Sequence, residues 1–273
     1  MLQRIAPRLT AALICSLALT APVFAQQVLK LSTTTSTDNS GLLTYLLPAF
    51  EAKTKIRVQV ISVGTGKALE LARNGDVDVT LVHARPSEDK FVADGHGVNR
   101  RDVMYNDFVI VGPANDPAGI KGGKDVIAAF KKIAGSNGKF ISRGDNSGTD
   151  QMEKTYWKQA GITPSGSAYV SAGTGMAEVL TMAAELRAYT LTDRATYGAY
   201  RSKTGLAVEV EGDPKMFNPY GIIAVNPGKY KDINYKGAMQ LIEWITSDEG
   251  QKKIAAFRVD GQQLFFPAAN VGR

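Results

Sequence analysis

Apolar and polar positions along residues 28–81 alternate between the period of a strand and the period of a helix. Ile56, Val58 and Val60 are separated by polar residues, which predicts a half-buried strand. The apolar residues of segment 42–50 instead fall on one helical face. The predicted order is strand 28–31, polar segment 32–40, helix 42–50, strand 56–60, helix 67–73 ended by Asn74-Gly75, and strand 77–81.

Two runs, 108–111 and 220–225, are apolar almost without interruption and differ from these half-buried strands. Each lies next to a turn-rich segment, 112–117 and 218–219, and we interpret both as strands that cross between two lobes. The second unit is predicted as helix 125–133, strand 140–141, helix 148–160, a strand near Tyr169, helix 175–186 and strand 188–191. Helices 237–246 and 249–257 are expected to pack back on the first lobe.

Strands and helices that alternate in this way favour parallel sheets, whose ligands bind at the carboxyl ends of the strands. We therefore predict an α/β fold of two Rossmann-like lobes joined by two crossing strands. Residues 26–110 and 222–273 would form the first lobe, and residues 111–221 the second. Two crossings provide a hinge. One continuous α/β domain is the alternative.

Glycine- and hydroxyl-rich loops recur in pairs at a nearly constant separation. Segment 38–41 recurs as 145–148, an offset of 107 residues, and segment 62–66 recurs with an offset of 109 as 171–175. Thr80-Leu81 recurs as Thr190-Leu191, an offset of 110. Because the three offsets differ by only three residues, they predict a duplicated α/β unit. The first two pairs open predicted helices, whose N-termini expose unpaired N–H groups, so the sequence predicts an anion cradle.

Residues 1–25 have the composition of a signal peptide. Arg4 and Arg8 precede the apolar stretch 9–20, and small residues end the segment before Gln26. The apolar stretch is short for a membrane span, although a retained anchor helix is the alternative. The single cysteine, Cys15, falls inside this segment, so the exported chain would contain no thiol. Export without disulfides fits a bacterial periplasm.

The charge of the chain excludes some partners. The net charge is +6, and it falls to about +4 without the two leader arginines. Basic residues are dispersed and form no polybasic run, so we expect no nucleic-acid partner. A mildly positive chain can still attract a small anion. We expect no cofactor.

Six consecutive hydroxyl residues, 32–37, stand between a predicted strand and a predicted helix. The ligand hypothesis places Thr34, Thr35 and Ser36 above the carboxyl end of the strand. The alternative is a strand end with capping serines. In the next loop, Thr65 lies between two glycines that permit close backbone approach to an anion. This loop lacks the spacing of a phosphate-binding P-loop.

Segment 142–149 is the strongest single candidate for anion binding. It delivers Arg143 to a loop and places Ser147, Gly148 and Thr149 at the start of a predicted helix. Arginine gives two parallel charge-assisted bonds to an oxyanion. The alternative is a surface pair of Arg143 with Asp145.

A second arginine follows the strand that carries the last repeated pair. Thr192 and Arg194 offer another hydroxyl and another guanidinium at a strand end, and we include both among the ligand candidates. The alternative is that Arg194 only pairs with Asp193. We expect Thr35, Thr65, Arg143 and Thr149 to converge on one pocket.

An enzymatic alternative rests on His83, Asp107 and Ser147, which follow the chain order of a trypsin-like triad. An asparagine interrupts the serine motif, and an α/β alternation contradicts a double β-barrel, so we expect no enzyme. His83 and His96 lack spaced partners for a metal site. We expect His83 to satisfy hydrogen bonds at a strand end.

Six segments carry a resemblance to a known family: Thr33–Thr37, 63–66, 81–84, 104–113, 142–145 and 189–194. Together they resemble the periplasmic tungstate-binding proteins of tungstate ABC importers. The likeness covers essentially the whole chain after the leader. It implies a type II periplasmic-binding-protein fold, a tetrahedral oxyanion held between the lobes, and a membrane permease as partner. We expect a monomer.

The resemblance also implies a ligand set. The family's Thr-Thr-Thr-Ser motif falls on 33–36, its arginine on Arg143, and its Ser-Gly-Thr turn on 147–149, whereas segment 172–176 departs from the pattern. The expected ligand is tungstate, with molybdate as a competitor. Phosphate or sulfate is the alternative. Phosphate keeps a proton that needs a carboxylate acceptor, but Asp38, Asp145 and Asp193 leave this test open, because each could instead cap a helix or orient an arginine.

Overall fold

The computed structural model describes residues 27–269; the predicted leader and Cys15 lie outside this range. The chain begins with a parallel sheet. The first unit of the chain comprises β1 (Val28–Thr34), α1 (Thr35–Asn39), α2 (Leu42–Thr54), β2 (Arg57–Val63), α3 (Thr65–Asn74), β3 (Val79–Val82) and α4 (Arg85–Ala93). β1 lies between β2 and β3 and is parallel to both.

The second part of the chain repeats this arrangement. After β4 (Gly97–Gly112) come α5 (Val126–Ala134), β5 (Phe140–Ser142), α6 (Gly148–Ala160), β6 (Tyr169–Ser171), α7 (Met176–Glu185), β7 (Thr190–Asp193), α8 (Arg194–Thr204) and β8 (Ala207–Val210). β5 is parallel to β6 on one side and bridges in parallel to Tyr189 on the other, just before β7. Both units therefore place their first strand in the middle, as the repeated loops predict.

The long strand β4 connects the two units. Its first part, through Asp107, pairs antiparallel with β9 (Phe217–Val225), and from Phe108 onward it pairs antiparallel with β7. The change of partner falls between Asp107 and Phe108, which locates the crossing predicted at 108–111. β9 itself pairs only with β3 and β4 among the described strands. The chain therefore returns before β9, near the short 3₁₀ helix Pro214–Met216, and not within 220–225.

The two lobes have separate apolar interiors. Phe50, Leu241 and Trp244 belong to the core of the first lobe, while Phe130 and Trp157 belong to that of the second. The last elements are α9 (Tyr235–Ile245), α10 (Asp248–Ala256), β10 (Arg258–Val259), β11 (Gln262–Gln263) and β12 (Phe266–Pro267). They pack on the first lobe, as predicted, and β12 pairs with β4. Among the helices of residues 27–269, none has the length and apolar character needed to cross a membrane.

Candidate functional site

The hydroxyl run 32–37 divides between structural bonds and a site at the carboxyl end of β1. β1 extends through Thr34, three residues further than predicted. Ser32 donates to the carbonyl of Ala68 at 3.0 Å, and Thr33 donates to the carbonyl of Leu81 at 2.8 Å. Both hydroxyls therefore hold the strand to its neighbours. The alternative of a strand end with structural hydroxyls applies to these two residues.

The next three hydroxyls surround the start of α1. Thr34 caps this helix, because its Oγ1 accepts from the backbone N–H of Thr37. The Oγ1 of Thr34 also lies 3.0 Å from the Oγ of Ser36. The Oγ1 of Thr35 is buried and has no hydrogen-bond partner within residues 27–269. A buried hydroxyl without a partner is costly, so Thr35 is suited to a ligand that accepts hydrogen bonds.

The first turn of α6 supplies a matching set from the second lobe. Ser147 caps the helix by accepting from the backbone N–H of Asp150 at 3.2 Å. The Oγ1 of Thr149 is buried and, in the described part of the chain, unpartnered. Residues Ser147 and Thr149 are each almost fully buried. The N-terminal amides of α6 add the partial positive charge of a helix N-terminus.

Direct contacts bring these two sets together. The backbone N–H of Gly148 donates to the Oγ1 of Thr65 at 3.0 Å, although Thr65 belongs to the first turn of α3 in the other lobe. Gly175, the N-cap of α7, is close enough to Thr35 that a Cβ there would lie 4.0 Å from its Oγ1. At the rim, Ser87 donates to Gln151 at 3.0 Å. The N-termini of α3 and α6 therefore meet between the lobes, as do those of α1 and α7.

Arg143 follows β5 and is only 2% exposed. Its Nε and Nη2 donate to the Oδ2 of Asp145 at 3.2 and 2.5 Å. The other oxygen of Asp145 accepts from the backbone N–H of Ser147 at 3.1 Å. The pair with Asp145 considered as the alternative is thus present, but it is buried beside the first turn of α6 and not on the surface.

Thr192 and Arg194 occupy a different environment. The guanidinium of Arg194 donates to both oxygens of Asp107, at 2.6 and 2.7 Å, and to Glu211 at 2.6 Å. The hydrogen bonds that Arg194 donates to Asp107 raise the pKa of Arg194. Thr192 donates to the carbonyl of Asp193 at 3.1 Å. Arg194 is not paired with Asp193, which caps α8 instead. The structure therefore brings Arg143, but not Arg194, to the cluster.

His83 is a component of the site that sequence reasoning assigned only to hydrogen bonding at a strand end. It follows β3, is 4% exposed, and its Nε2 lies 3.3 Å from the Oγ of Ser36. Its Nδ1 lies 3.1 Å from the Oδ1 of Asn218. Burial lowers the pKa of His83, against the opposing effect of Asp193. Burial therefore favours the neutral form of the ring.

Asp150 was also missed by sequence reasoning. Its buried carboxylate accepts from the backbone N–H groups of Gly144 and Asn146, at 3.2 and 3.0 Å, and Lys154 lies 2.5 Å away. These bonds hold the loop that carries Arg143. The sequence signal was a Ser-x-x-Asp pattern, which indicates a helix N-terminus but not these loop bonds. Within the described residues, no group of three or more His, Cys, Asp or Glu side chains could hold a metal ion.

Comparisons with known proteins agree on one family. The sequence profile of the PBP superfamily domain matches residues 22–249. The tungstate-binding protein TupA of Peptoclostridium acidaminophilum is 50% identical over 243 residues, covering 88% of this chain and 85% of the relative. Among solved structures, the tungstate ABC transporter from Geobacter sulfurreducens superposes with a TM-score of 0.80 at 57% identity, covering 86% of this chain and all of that one. TupA from Desulfovibrio alaskensis G20 gives 0.76 at 47% identity, covering 89% and 99%.

Proposed function

The chain belongs to the periplasmic-binding-protein (PBP) superfamily, with the type II fold, and we propose that it binds tungstate between its lobes and delivers it to an ABC importer. The observation that carries the proposal is the convergence of donors from both lobes. Thr35 and Thr149 each present a buried hydroxyl that lacks a partner among residues 27–269. Arg143 is buried in the same cluster. Related proteins that bear the name tungstate-binding protein support the choice of anion.

The donor set fits a tetrahedral dianion. Each oxygen of tungstate accepts several hydrogen bonds and donates none. Charge-assisted bonds from Arg143 are about twice as strong as neutral ones, and the first turns of α3 and α6 supply backbone N–H groups. The proposed contact set contains donors from both lobes: Thr34, Thr35, Ser36, Thr65, Arg143, Ser147, Gly148 and Thr149. We leave out Thr192 and Arg194 because they bond to residues outside this cluster, namely Asp193, Asp107 and Glu211.

The alternative of a phosphate receptor is disfavoured by the carboxylates near the site. Hydrogen phosphate needs an acceptor for its proton. Asp145 already accepts from Arg143 and Ser147, and both oxygens of Asp193 accept from Thr196. These oxygens are therefore committed to the protein. With these two carboxylates engaged, the site favours fully ionised anions, so molybdate and sulfate are the relevant competitors.

Competition calorimetry tests the anion. The full exported chain, without the leader, would be titrated with tungstate, molybdate, sulfate and phosphate. We expect tungstate to bind most tightly, molybdate to compete, and phosphate to be the weakest. Nanomolar affinity corresponds to about 12 kcal/mol. Tighter binding of phosphate than of tungstate would overturn the assignment.

One native mass measurement on protein purified from a periplasmic extract tests the removal of the leader, the oligomeric state and the bound anion. We propose that residues 1–25 are cleaved, that the chain is a monomer, and that it acts as a receptor without catalytic turnover and without a nucleic-acid partner. The expected mass is that of a single chain beginning at Gln26 and carrying one oxyanion. A dimer mass, or a chain that retains the leader, would contradict the corresponding part.

A further inference from the structure

A chain of hydrogen bonds joins the hydroxyl cluster to the point where β4 changes partner. It begins at Ser36, whose Oγ is 3.3 Å from the Nε2 of His83. The Nδ1 of His83 continues to Asn218 at 3.1 Å. The Nδ2 of Asn218 then donates to the Oδ1 of Asn106 at 2.7 Å. All four residues are buried.

The two asparagines occupy a mechanically special place. Asn106 on β4 and Asn218 on β9 are paired in register. The next pair, Asp107 with Phe217, is the last between these strands, and Phe108 already pairs with β7 in the second lobe. The asparagines thus lie one residue before the crossing of β4 and one residue after the start of β9. Any rotation of one lobe against the other changes the backbone at this point.

His83 also contacts the second lobe directly. A Cβ on Gly148 would lie 3.0 Å from the carbonyl oxygen of His83 and 3.1 Å from its Nδ1. The His83 ring stacks on Tyr220 at 4.7 Å, which fixes its plane. One imidazole therefore touches a proposed ligand residue, the crossing strands and the first residue of α6.

We propose that His83 is a positioning residue that couples the orientation of Ser36 to the crossing strands through Asn218 and Asn106. The inference rests on the proposed function, because Ser36 is a proposed contact to the oxyanion. With the Asn218 amide donating to Asn106, its oxygen faces His83, and the Nδ1 of His83 is the donor. The Nε2 is then an acceptor for the single O–H of Ser36, so Ser36 contacts the oxyanion through its backbone N–H in the first turn of α1. The arrangement orients Ser36 only while Asn218 holds the ring.

Tungstate calorimetry in two backgrounds tests the coupling. Residues that share no contact normally give additive effects, whereas members of one network do not. Asn218→Ala is expected to lower tungstate affinity about tenfold in the parent chain but less than about twofold in a His83→Phe chain, where the ring still stacks on Tyr220 but the relay is cut. Equal losses in the two backgrounds would refute the coupling. His96→Phe, which alters the other histidine of the chain, is the matched control and should leave the affinity unchanged.

A spectroscopic measurement separates coupling from simple loss of structure. The ¹⁵N shifts of the His83 ring report which nitrogen carries the proton, and His96→Phe assigns the signals because the chain has two histidines. We expect one tautomer in the parent chain and a changed tautomer ratio in Asn218→Ala. Asn218→Ser provides a second variant if Asn218→Ala does not fold. An unchanged ratio in a folded variant would overturn the proposal.

The two proposals fail in distinguishable ways. If the parent chain binds none of the four oxyanions, the proposed function is wrong whatever His83 does. If the parent chain binds tungstate and Asn218→Ala is additive with His83→Phe, the receptor assignment stands and the coupling is wrong.

Discussion

At the scale of single residues, the site depends on which hydroxyls are left after local structure has used its share. A hydroxyl has one donor and two acceptor positions. Thr65 accepts from Gly148 and keeps its own O–H group for another partner. Thr34 and Ser147 each use an acceptor position of the hydroxyl as a helix cap. Only the other positions of these hydroxyls are available to a ligand. Thr35 and Thr149 retain all their capacity among the described residues.

Replacing Arg143 by alanine should reduce tungstate affinity by roughly 100-fold, because each charge-assisted bond contributes about 1.5–3 kcal/mol. The buried carboxylate of Asp145 would also lose its partner and repel the anion. Arg143→Lys keeps the charge without the planar fork and should give an intermediate loss. Calorimetry measures both.

Arg194→Ala is the control, since Arg194 was the other arginine predicted from the sequence and is paired with Asp107 and Glu211. The tungstate affinity of this variant should differ from that of the parent chain by less than about fivefold, because the guanidinium of Arg194 makes its bonds outside the cluster. A loss as large as that of Arg143→Ala would show that Arg194 contacts the anion.

Glu153 makes stability depend on pH. Burial raises the pKa of Glu153 from 4.5 to about 7, while Trp157 and Tyr169 donate to one of its oxygens. Between pH 4.5 and 7 the folded chain therefore holds a proton that the unfolded chain has released. Stability falls as the pH rises through this window, by about 3 kcal/mol, and the fall is complete above pH 7.

Urea unfolding without ligand at pH 5 and pH 8 measures this effect. Glu153→Gln, which keeps the accepting oxygen but cannot ionise, should reduce the decrease between the two pH values by about 3 kcal/mol, while the contribution of Glu88, whose pKa burial also raises to about 7, remains. Glu185 is exposed on α7, so Glu185→Gln should leave the decrease in stability between pH 5 and pH 8 unchanged. An equal decrease in the parent and in Glu153→Gln would assign the pH dependence to another group.

At the scale of elements, local signals predicted well the helices that have a cap, a stop and an apolar stripe. α6 begins at Gly148 and ends before Gly161, as predicted, because Ser147 caps it and Gly161 adopts the left-handed conformation that ends helices. α8 was missed. Its buried face contains Ala195, Thr196 and Tyr197, which is too polar to stand out as an apolar stripe.

The long strand β4 shows why periodicity fails at irregular sites. Only 108–111 was predicted, although β4 starts at Gly97. Its register against β9 shifts between Val98 and Arg101 and again between Asp102 and Met104. Bulges of this kind break the two-residue period on which strand prediction depends. The site was predictable where its residues follow strand ends, but the His83–Asn218 contact spans 135 residues and has no local signal.

The approach of α6 to the first lobe yields a prediction about closure. Because a Cβ at position 148 would lie 3.0 Å from the His83 carbonyl, Gly148→Ala should keep the N-terminus of α6 away from Thr65. We expect tungstate affinity to fall at least about tenfold while unliganded stability hardly changes, since the clash exists only when the lobes meet. Calorimetry and urea unfolding measure the two quantities.

Gly135→Ala is the matched control for this substitution. Gly135 lies at the end of α5 and has a negative φ. A Cβ at this position would lie 3.5 Å from its nearest neighbour, the carbonyl oxygen of Lys131. It should change neither affinity nor closure. If Gly148→Ala instead destabilises the unliganded chain strongly and binds tungstate normally, the contact with His83 is a packing feature and not a closure contact.

At the scale of the whole molecule, each lobe has its own apolar core, and the shared strand β4 runs through both sheets. Among residues 27–269, the hydrogen bonds across the cleft include Gly148 to Thr65 and Ser87 to Gln151. A ligand that takes donors from both sides would add a further link between them.

The last prediction follows from this arrangement. Tungstate at about 1,000 times its Kd should raise the free energy of unfolding by about 4 kcal/mol, and because it binds both lobes, it should raise their unfolding together. Differential scanning calorimetry would show a single transition in the liganded chain, at a higher Tm than without ligand. Under the same tungstate concentration, Arg143→Ala should show little shift. If tungstate raised the unfolding temperature of one lobe and left a separate transition for the other unchanged, the anion would be bound by a single lobe, and the cluster between the lobes could not be its site.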